Sequence, residues 1–449
     1  MVDRWRYRAI DGTAGLGDRR HMHTLEQLRS GALAGTQALR LTGAGLAVFP
    51  REIFDLADTL EILDLSGNAL ETLPDDLPRL IRLRILFASN NAFTTLPAVL
   101  GSCPSLTMIG FKANRIKTVP ADALPAGLRW LILTDNAVDT LPAEIGRCTR
   151  LQKLMLAGNR LTALPQALSA CTALELVRIA ANRLPALPDW LPAMPRLSWL
   201  AFAGNPFAVE PVVPAAARTL AWNDLTLEAT LGEGASGVIS RATLPGGSHL
   251  AVKVFKGAVT SDGLPHSEMM ACLAAGAHPN LIPVRGRVTG HPEGREALAM
   301  DLIDPAFVPL AGPPSFETCT RDVYADGTRF DLDTVQRIAS GIASAAAQLH
   351  SRGLMHGDLY AHNILVAPGQ APVIGDFGAA SAYAANGEAL QRLEVRAFGC
   401  LLEELINHCL TPVTDLTELA AACQNEDPTQ RPLFEEIVTR LRASGGRPI

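Results

Sequence analysis

A glycine-rich stretch in the second half of the chain could bring backbone N–H groups close to phosphate oxygens. It reads L-G-E-G-A-S-G-V-I at 231–239, and strand-like residues, the turn residues P-G-G and a further strand follow it. Glycines permit this close approach because they carry no side chain. Taken alone, the stretch is equally typical of an ordinary glycine-rich hairpin, so its interpretation depends on the residues C-terminal to it.

A lysine lies in the next apolar segment, A-V-K-V at 251–254. A Lys side chain in a central strand would be costly without a partner, so Lys253 is expected to pair with a carboxylate. Glu268, fifteen residues later in the helical stretch S-E-M-M-A-C-L-A-A-G, is the predicted partner. A solvated helix Glu is the alternative interpretation of that residue.

Two further fragments carry carboxylates and an amide beside apolar segments. H-G-D-L-Y-A-H-N at 356–363 supplies Asp358 and Asn363, and D-F-G at 376–378 supplies Asp376 after the apolar pair V-I. Carboxylate and amide oxygens are suitable ligands for Mg²⁺. Three groups that can handle a metal or a proton within about twenty residues are expected to act together.

In order and spacing, these fragments resemble the motifs of eukaryotic-type protein kinases, which transfer the γ-phosphoryl group of ATP. H-P-N at 278–280 and D-P-T-Q-R-P at 427–432 resemble further motifs of the same family. The resemblance covers roughly Leu225 to Arg442. It implies a two-lobed α+β domain that binds ATP with Mg²⁺, or with Mn²⁺ as an alternative cation.

The resemblance also implies a role for each candidate residue. Asp358 would be the catalytic base, and Lys253 would contact the α- and β-phosphates. Asn363 and Asp376 would hold the metal ions. Met300 would fill the back of the adenine pocket, with the hinge following it. The residues expected to bind the nucleotide are Gly232, Glu233, Gly234, Gly237, Ile239, Ala251, Lys253, Glu268, Met300, Asp301 and Ile303.

The catalytic fragment departs from the family in two places. Gly357 stands where many protein kinases have Arg, so control by activation-loop phosphorylation is not expected. Tyr360-Ala361-His362 replaces the Lys that is typical of Ser/Thr kinases, which leaves the acceptor hydroxyl less certain to assign.

A further departure follows D-F-G. Fifteen residues, A-A-S-A-Y-A-A-N-G-E-A-L-Q-R-L, separate it from a predicted central helix in which Glu394 stands where Asp is usual. A shortened activation segment without an A-P-E motif is therefore expected. Arg431 would lack its customary Glu partner, and the peptide-docking platform would be missing or rebuilt.

The first half of the chain has a period of 22–23 residues. The pattern L-x-x-L-x-L-x-x-N-x-L-x-x-L-P begins at Leu60 and recurs up to Leu197. A degenerate first copy has Ala44 where the Asn should be. The pattern is similar to the leucine-rich repeat family and predicts a solenoid of stacked strands and turns. The Asn side chains are expected to satisfy backbone groups where the chain leaves each strand.

The concave strands of such a solenoid carry side chains that are free to vary. Six of them would form an apolar surface, namely Ile85, Phe87, Met108, Trp130, Ile132 and Met155. Exposed apolar patches of this size usually mark an interaction surface, so we expect a protein substrate or ligand there. Coverage by the rest of the chain or by a second copy is the alternative.

Composition excludes several other classes. The net charge of −6 gives no reason to expect nucleic acid, and no run of about 18 apolar residues predicts a membrane span. The basic residues Arg4, Arg6, Arg8, Arg19 and Arg20 alternate with acidic ones and predict a solvated arm. The first residues lack the apolar core of a secretory signal, so a cytoplasmic location is expected.

The sequence therefore predicts an α/β leucine-rich-repeat solenoid followed by an α+β two-lobed domain. The expected boundaries are an arm or cap at 1–35, about eight repeats at 36–207, a linker or solenoid cap at 208–221 and the second domain at 222–445. Pro206, Pro211 and Pro214 predict the linker to be short and stiff.

The combined resemblance is to bacterial-type leucine-rich-repeat protein kinases, which implies transfer of phosphate to Ser or Thr hydroxyls. Two alternatives remain open. One is an ATP-binding pseudokinase scaffold, which the retained Lys253, Asp358, Asn363 and Asp376 disfavour. The other is a small-molecule phosphotransferase, which shares H-G-D-L-x-x-x-N but is disfavoured by the glycine-rich loop, H-P-N and D-F-G.

Overall fold

The computed structural model describes residues 22–214, 218–257, 259–384 and 387–445. The predicted arm with Arg4 to Arg20 lies outside these residues. Contacts divide the chain into two compact units. Of the described residues, 22–194 and Asn205–Phe207 form the repeat unit, and Pro195–Gly204 joins the described residues between 208 and 445 in the second unit. This division differs from the predicted boundary at 207, because ten residues of the last repeat belong with the second unit.

Within residues 22–194, the repeat unit contains one short α-helix, seven parallel strands and the 3₁₀ turns between the strands. Helix α1, Leu25–Arg29, begins at Thr24, whose side chain and that of Gln27 form a capping box. The strands pair in sequence order, each in register with the next repeat, so that Leu63 lies beside Leu86. The strands are β1 Ala38–Arg40, β2 Ile62–Asp64, β3 Ile85–Phe87, β4 Met108–Gly110, β5 Trp130–Ile132, β6 Lys153–Met155 and β7 Leu176–Arg178.

The predicted asparagine ladder is present. Asn159 is buried, and its amide nitrogen donates to the carbonyl oxygens of Leu156, at 2.9 Å, and Leu133, at 2.8 Å. Its amide oxygen accepts from the backbone N–H of Val138 at 3.0 Å. Each Asn therefore bonds its own turn to the preceding repeat, and the ladder replaces the internal bonding of a helix.

The convex turns begin where the Leu-Pro pairs predict. Pro97, Pro142 and Pro165 each precede a 3₁₀ turn, because proline fixes φ and cannot continue a ladder. Cys103, Cys148 and Cys171 are buried between these turns and the strands, and burial raises the pKa of each thiol. They are packing residues, as their periodic placement predicts.

The expectation of an exposed apolar surface on the concave strands is wrong. The side chains of Ile85, Phe87, Met108, Trp130, Ile132 and Met155 are between 1% and 6% exposed. Asp64, Lys153 and Arg178 on the same strands are also buried. Periodicity identifies which side of a strand a residue faces, but it does not reveal whether that side is open to solvent.

The second unit begins with strand β8, Trp199–Ala201, and continues with a six-stranded sheet in the order β10-β11-β12-β14-β13-β9. The sheet packs on helix α2, Pro265–Ala275, whose buried residues include Glu268. The strands are β9 Thr219–Ala221, β10 Thr226–Glu233, β11 Gly237–Thr243, β12 His249–Phe255, β13 Val284–Thr289 and β14 Ala297–Met300.

The rest of this unit is mainly helical. Strands β15 Val308–Pro309, β17 Ile364–Val366 and β18 Val373–Ile374 form one small sheet, and β16 Leu354–Met355 and β19 Ser381–Ala382 form another. The helices are α3 Leu332–Ser351, α4 Glu388–Asn407, α5 Thr414–Cys423 and α6 Phe434–Gly445. A sheet lobe and a helical lobe are thus present, as predicted. Within the described ranges, no helix is both long and apolar enough to cross a bilayer.

The ladder gives a first prediction. Replacing Asn159 with Ala leaves the N–H of Val138 without its partner and removes one of the two asparagine donors from each of the Leu133 and Leu156 carbonyls. We therefore expect the free energy of unfolding to fall by about 1–3 kcal/mol. Chemical denaturation of the full chain measures the change. Arg160→Ala, at the exposed neighbouring position, is the control and should change stability by less than about 0.5 kcal/mol. Equal effects at both positions would contradict a structural role for the ladder.

Candidate active site

The predicted pairing of Lys253 with Glu268 is present in the sheet lobe. Lys253 lies on β12 between β11 and β14, and its ammonium group forms an ion pair with the Glu268 carboxylate on α2. The two side chains are 14% and 4% exposed. Burial alone would lower the pKa of Lys253, but the carboxylates of Glu268 and Asp376 raise it above its ordinary value. Lys253 therefore carries a positive charge inside the cleft.

The cleft between the lobes of this unit has a cavity of about 340 Å³, a volume that suits a small-molecule ligand. Ala251 and Met300 are directly paired across β12 and β14 and provide part of its apolar wall. Asp376 also lines the cavity, and its side chain is exposed. The predicted nucleotide residues that line the cavity are Gly232, Gly234, Gly237, Ile239, Ala251, Lys253, Glu268, Met300, Asp301 and Ile303.

Glu233 is not among the lining residues. Its carboxylate pairs with Lys256 at 2.7 Å on the outside of the glycine-rich turn, and this partner lowers the pKa of Glu233. The Lys256 ammonium also donates to the carbonyl of Gly234 at 3.0 Å. Position 237 has room only for glycine, because an added Cβ would lie 2.6 Å from the Val254 carbonyl oxygen. The turn is thus tied to the end of β12.

Asp358 and Asn363 are joined by hydrogen bonds in the loop between β16 and β17. The Asn363 amide nitrogen donates to an Asp358 carboxylate oxygen at 2.8 Å and to the Asp358 backbone carbonyl at 2.9 Å. These bonds fix the direction of the Asp358 carboxylate. They also leave the Asn363 amide oxygen as the atom that can bind a cation.

Asp376 is held next to this pair. The backbone N–H of Gly375 donates to the carbonyl of Asn363 at 3.2 Å, and the buried His356 ring bonds the Gly375 carbonyl at 2.9 Å. Asp376 has φ of 59°, a left-handed conformation that non-glycine residues adopt at a cost. The strain is consistent with a residue held for function.

Asn363 and Asp376 fit a cation that is shared with phosphates. Within the described residues there is no group of three or more His, Cys, Asp or Glu side chains that could hold a metal by themselves. A Mg²⁺ ion usually takes one or two protein oxygens together with phosphate oxygens and water. The amide of Asn363 and the exposed carboxylate of Asp376 match that donor set.

Glu394 was not predicted to be a site residue, although it stands where the family resemblance implies Asp. Its fully buried carboxylate accepts from the His356 backbone N–H at 3.2 Å and the Gly357 N–H at 2.6 Å, and it pairs with the His350 ring at 2.7 Å. Burial alone would raise the pKa of Glu394, but these partners hold it below its ordinary value. α4 begins at Glu388, before the predicted start, and Glu394 on this helix bonds the loop that carries Asp358.

Asp322 is a second site residue, and sequence reasoning had no means to find it. Its carboxylate accepts from the His362 backbone N–H at 2.9 Å and bonds the His362 ring at 2.7 Å. Burial lowers the pKa of His362, but Asp322 outweighs it and raises the pKa overall. Asp322 lies in irregular structure forty residues before its partner, so no periodicity connects the two.

Comparison with known proteins agrees with this geometry. Residues 225–398 match the protein kinase domain family, and residues 59–80 match the leucine-rich repeat family. The chain therefore contains a protein kinase domain preceded by leucine-rich repeats. The matched kinase segment includes both Lys253 and Asp376 and ends inside α4.

The relatives are plant receptor kinases. A calmodulin-binding receptor kinase of Arabidopsis thaliana is 30% identical over 196 residues, which is 40% of this chain and 29% of the relative. A probable leucine-rich-repeat receptor-like serine/threonine-protein kinase of the same plant is 25% identical over 231 residues, 43% of this chain and 34% of the relative. The nodulation receptor kinase of Pisum sativum is 28% identical over 184 residues, 40% of this chain and 19% of the relative.

The chain thus spans about a third or less of the length of these three relatives. The expected bacterial type has no support among them.

The buried carboxylate gives a second prediction. Glu394→Gln replaces one accepting oxygen with an amide nitrogen facing buried donors, so the free energy of unfolding should fall by about 3 kcal/mol at pH 7. A lowered pKa means that the wild-type contribution is present above the unfolded pKa of about 4.3 and is lost as the pH falls through the folded value. Denaturation at pH 3 to 7 should therefore show a smaller difference at low pH. The exposed Glu418→Gln serves as the control, and a pH-independent difference would contradict the assignment.

Proposed function

We propose that this chain is a protein kinase that transfers the γ-phosphoryl group of Mg·ATP to a Ser or Thr hydroxyl of a protein. The observation that carries the proposal is a single cleft lined by the buried Lys253–Glu268 pair, the glycine-rich turn and Asp376. Phosphoryl transfer depends on positioning and on charge stabilisation rather than on covalent chemistry by the protein. Each of these groups serves one of those two needs.

The adenine base of the nucleotide would pack against Ala251 and Met300. Its polar edge would face the backbone of the hinge, Asp301 to Ile303. Lys253 would contact the phosphates. Two carboxylates raise its pKa and so keep its ammonium group charged, and its side chain is 14% exposed in the cleft. Backbone N–H groups of the glycine-rich turn would bind further phosphate oxygens. A shallow surface site could not exclude water from the reacting group in this way.

Asn363 and Asp376 would hold the divalent cation, Mg²⁺ or Mn²⁺, which when bound would neutralise charge on the phosphates. Asp358 would accept the proton of the acceptor hydroxyl. Its carboxylate is already oriented by the Asn363 amide at 2.8 Å. The proposed proton acceptor would thus lie beside the proposed cation ligands, as phosphoryl transfer to a hydroxyl requires.

Ser or Thr as acceptor is supported by the name of one relative, a probable serine/threonine-protein kinase. A small-molecule phosphotransferase remains the second candidate, because α4 begins at Glu388 and so leaves few residues after D-F-G at 376–378 for a peptide platform. A pseudokinase scaffold is the third. Radiolabelled ATP offered with proteins and, separately, with hydroxylated metabolites distinguishes these functions, with phosphoamino-acid analysis to identify the acceptor.

Leucine-rich repeats support a protein-binding role for the first half of the chain. We keep the concave strands as the proposed binding surface. Because the apolar side chains from Ile85 to Met155 are buried, a partner would first have to expose them. The cytoplasmic location stays a prediction from the sequence.

The charged pair in the cleft gives a third prediction. Lys253→Met removes the proposed phosphate contact, so kcat/KM for phosphoryl transfer should fall by about 10²-fold or more. It also leaves the buried Glu268 carboxylate without this partner, so circular dichroism is used to verify that the variant is folded. Asp358→Asn removes the proton acceptor and should lower kcat while ATP still binds. Lys117→Met, at an exposed position of the repeat unit, is the control and should leave the rate unchanged. Activity of Lys253→Met within twofold of wild type would refute the proposed site.

The segment after D-F-G gives a fourth prediction. Its hydroxyl-bearing residues among 379–384 are Ser381 and Tyr383, both buried, and the Ser381 hydroxyl donates to the Ala379 carbonyl at 3.2 Å. Neither is accessible for a regulatory phosphate, and Gly357 offers no cation to bind one. Phosphatase treatment should therefore leave the transfer rate unchanged, with mass spectrometry to verify dephosphorylation. A silenced enzyme would show that another cation binds a phosphorylated form of this segment.

A further inference from the structure

We propose that Pro195–Ala203, by sequence part of the last repeat, is a built-in part of the active site, and that Trp199 is a positioning residue for the catalytic loop. We call these nine residues the docked segment. The proposal rests on the proposed kinase function for its effect on rate, but its structural claim can be measured without activity. Its basis is a set of contacts within the second unit, to which the docked segment belongs.

Trp199 contacts the two residues that follow Asp358. Its indole ring stacks on the Tyr360 ring with centroids 4.2 Å apart and planes 8° apart. Its Nε1–H donates to the backbone carbonyl of Leu359 at 3.1 Å. Trp199 is 1% exposed and Tyr360 is 4% exposed, so the contact is dry. A buried aromatic stack with a satisfied indole donor fixes the position of both partners.

The stack continues through the catalytic loop. The Tyr360 ring lies 5.0 Å from the His362 ring, and His362 is held by Asp322. Asn363 follows His362 directly in the chain. Trp199 therefore supports one end of a row of side chains that spans the loop from Asp358 to Asn363. Displacement of Tyr360 would move both residues that the proposed mechanism uses.

The docked segment is also fixed at its two ends. The backbone N–H groups of Phe202 and Ala203 donate to the Ser381 hydroxyl at 2.9 and 3.2 Å. Ser381 belongs to β19, which pairs with β16 immediately before the catalytic loop. The docked segment therefore bonds both the catalytic loop and the strand that follows D-F-G.

Two buried arginines complete the attachment. Arg396 on α4 donates to the Ser198 hydroxyl at 2.7 Å, and Arg431 donates to the Pro195 carbonyl at 2.7 Å. Arg431 is fully buried, and burial lowers its pKa to about 10. The Glu partner that the family resemblance implies for Arg431 is absent from the sequence. The Pro195 carbonyl is one of three backbone oxygens that take its place, with those of Asn425 and Arg392.

The docked segment also lies against the glycine that precedes Asp358. Gly357 has φ of +74°, and an added Cβ would lie 2.5 Å from the Ala379 carbonyl oxygen and 2.9 Å from that of Leu200. The Leu200 carbonyl belongs to the docked segment. A side chain at position 357 and this segment cannot occupy the same space. The docking of the last repeat therefore adds to a requirement for glycine that the positive φ and the Ala379 carbonyl already impose.

The test uses the full chain with Trp199→Ala, Trp199→Phe and the control Trp190→Ala. Trp190 is a half-buried tryptophan of the repeat unit. Trp199→Ala should lower kcat for autophosphorylation or ATP hydrolysis by at least tenfold, since a displacement of about 1 Å at a catalytic group can cost about 10²-fold. The dissociation constant for ATP should change by less than about threefold, because the nucleotide residues lie elsewhere in the cleft.

Trp199→Phe keeps a ring on Tyr360 and loses the Leu359 hydrogen bond, so its kcat should lie between those of wild type and Trp199→Ala. Hydrogen–deuterium exchange supplies a readout besides activity. The amides of 356–363 should exchange faster in Trp199→Ala than in wild type, with those of 62–184 unchanged. Trp190→Ala should leave both kcat and exchange at 356–363 as in wild type.

The proposal is overturned if Trp199→Ala is folded and matches wild type in both kcat and loop exchange. If circular dichroism shows that Trp199→Ala unfolds, the same criteria applied to Trp199→Phe decide. A wild-type chain that transfers no more phosphate than Asp358→Asn would refute the proposed function instead. In that case faster exchange at 356–363 in the Trp199 variants would still support the docked segment, and unchanged exchange would overturn it.

Discussion

The second unit of this chain depends on one buried carboxylate. Glu394 has no exposure to solvent and satisfies its charge with the His350 ring and the backbone N–H groups of His356 and Gly357. An unpaired charge at this depth would cost several kcal/mol. The loop can therefore adopt few other conformations, because each alternative leaves these donors or the carboxylate unsatisfied. His356 in turn bonds Gly375 and so connects this loop to Asp376.

A second constraint on the structure is the pairing of buried charges in the cleft. Lys253 and Glu268 come from different elements, and their pairing requires α2 to lie against the sheet. Asp376 raises the pKa of Lys253 without a direct bond to it, so the lysine has an excess of negative charge around it. A buried pair with this imbalance is a poor arrangement for stability alone. It suits a site that binds phosphates together with a cation.

Most of the fold could be predicted from the sequence alone, because both halves have strong local signals. The repeat period identified every strand of the solenoid, and the motif order placed ten of eleven nucleotide-binding candidates around one cavity. Glu233 does not line this cavity, and its carboxylate pairs with Lys256. Asp322 and Trp199 could not be found, since both act through contacts between residues far apart in sequence. The burial of the apolar side chains on the concave strands could not be predicted either, because a sequence period does not show whether a strand is covered.

The docked segment has a consequence for how such a chain could arise. Fusions of a recognition module to an enzyme are usually separable, since the joint is a linker that neither half needs. Here Leu200, Ser198 and Pro195 belong to the repeat pattern yet complete the packing around Gly357, Arg396 and Arg431. Exchange of the repeat array as a cassette would carry these residues away from their partners. A working exchange would therefore have to keep Pro195, Ser198 and Leu200 together with the second unit.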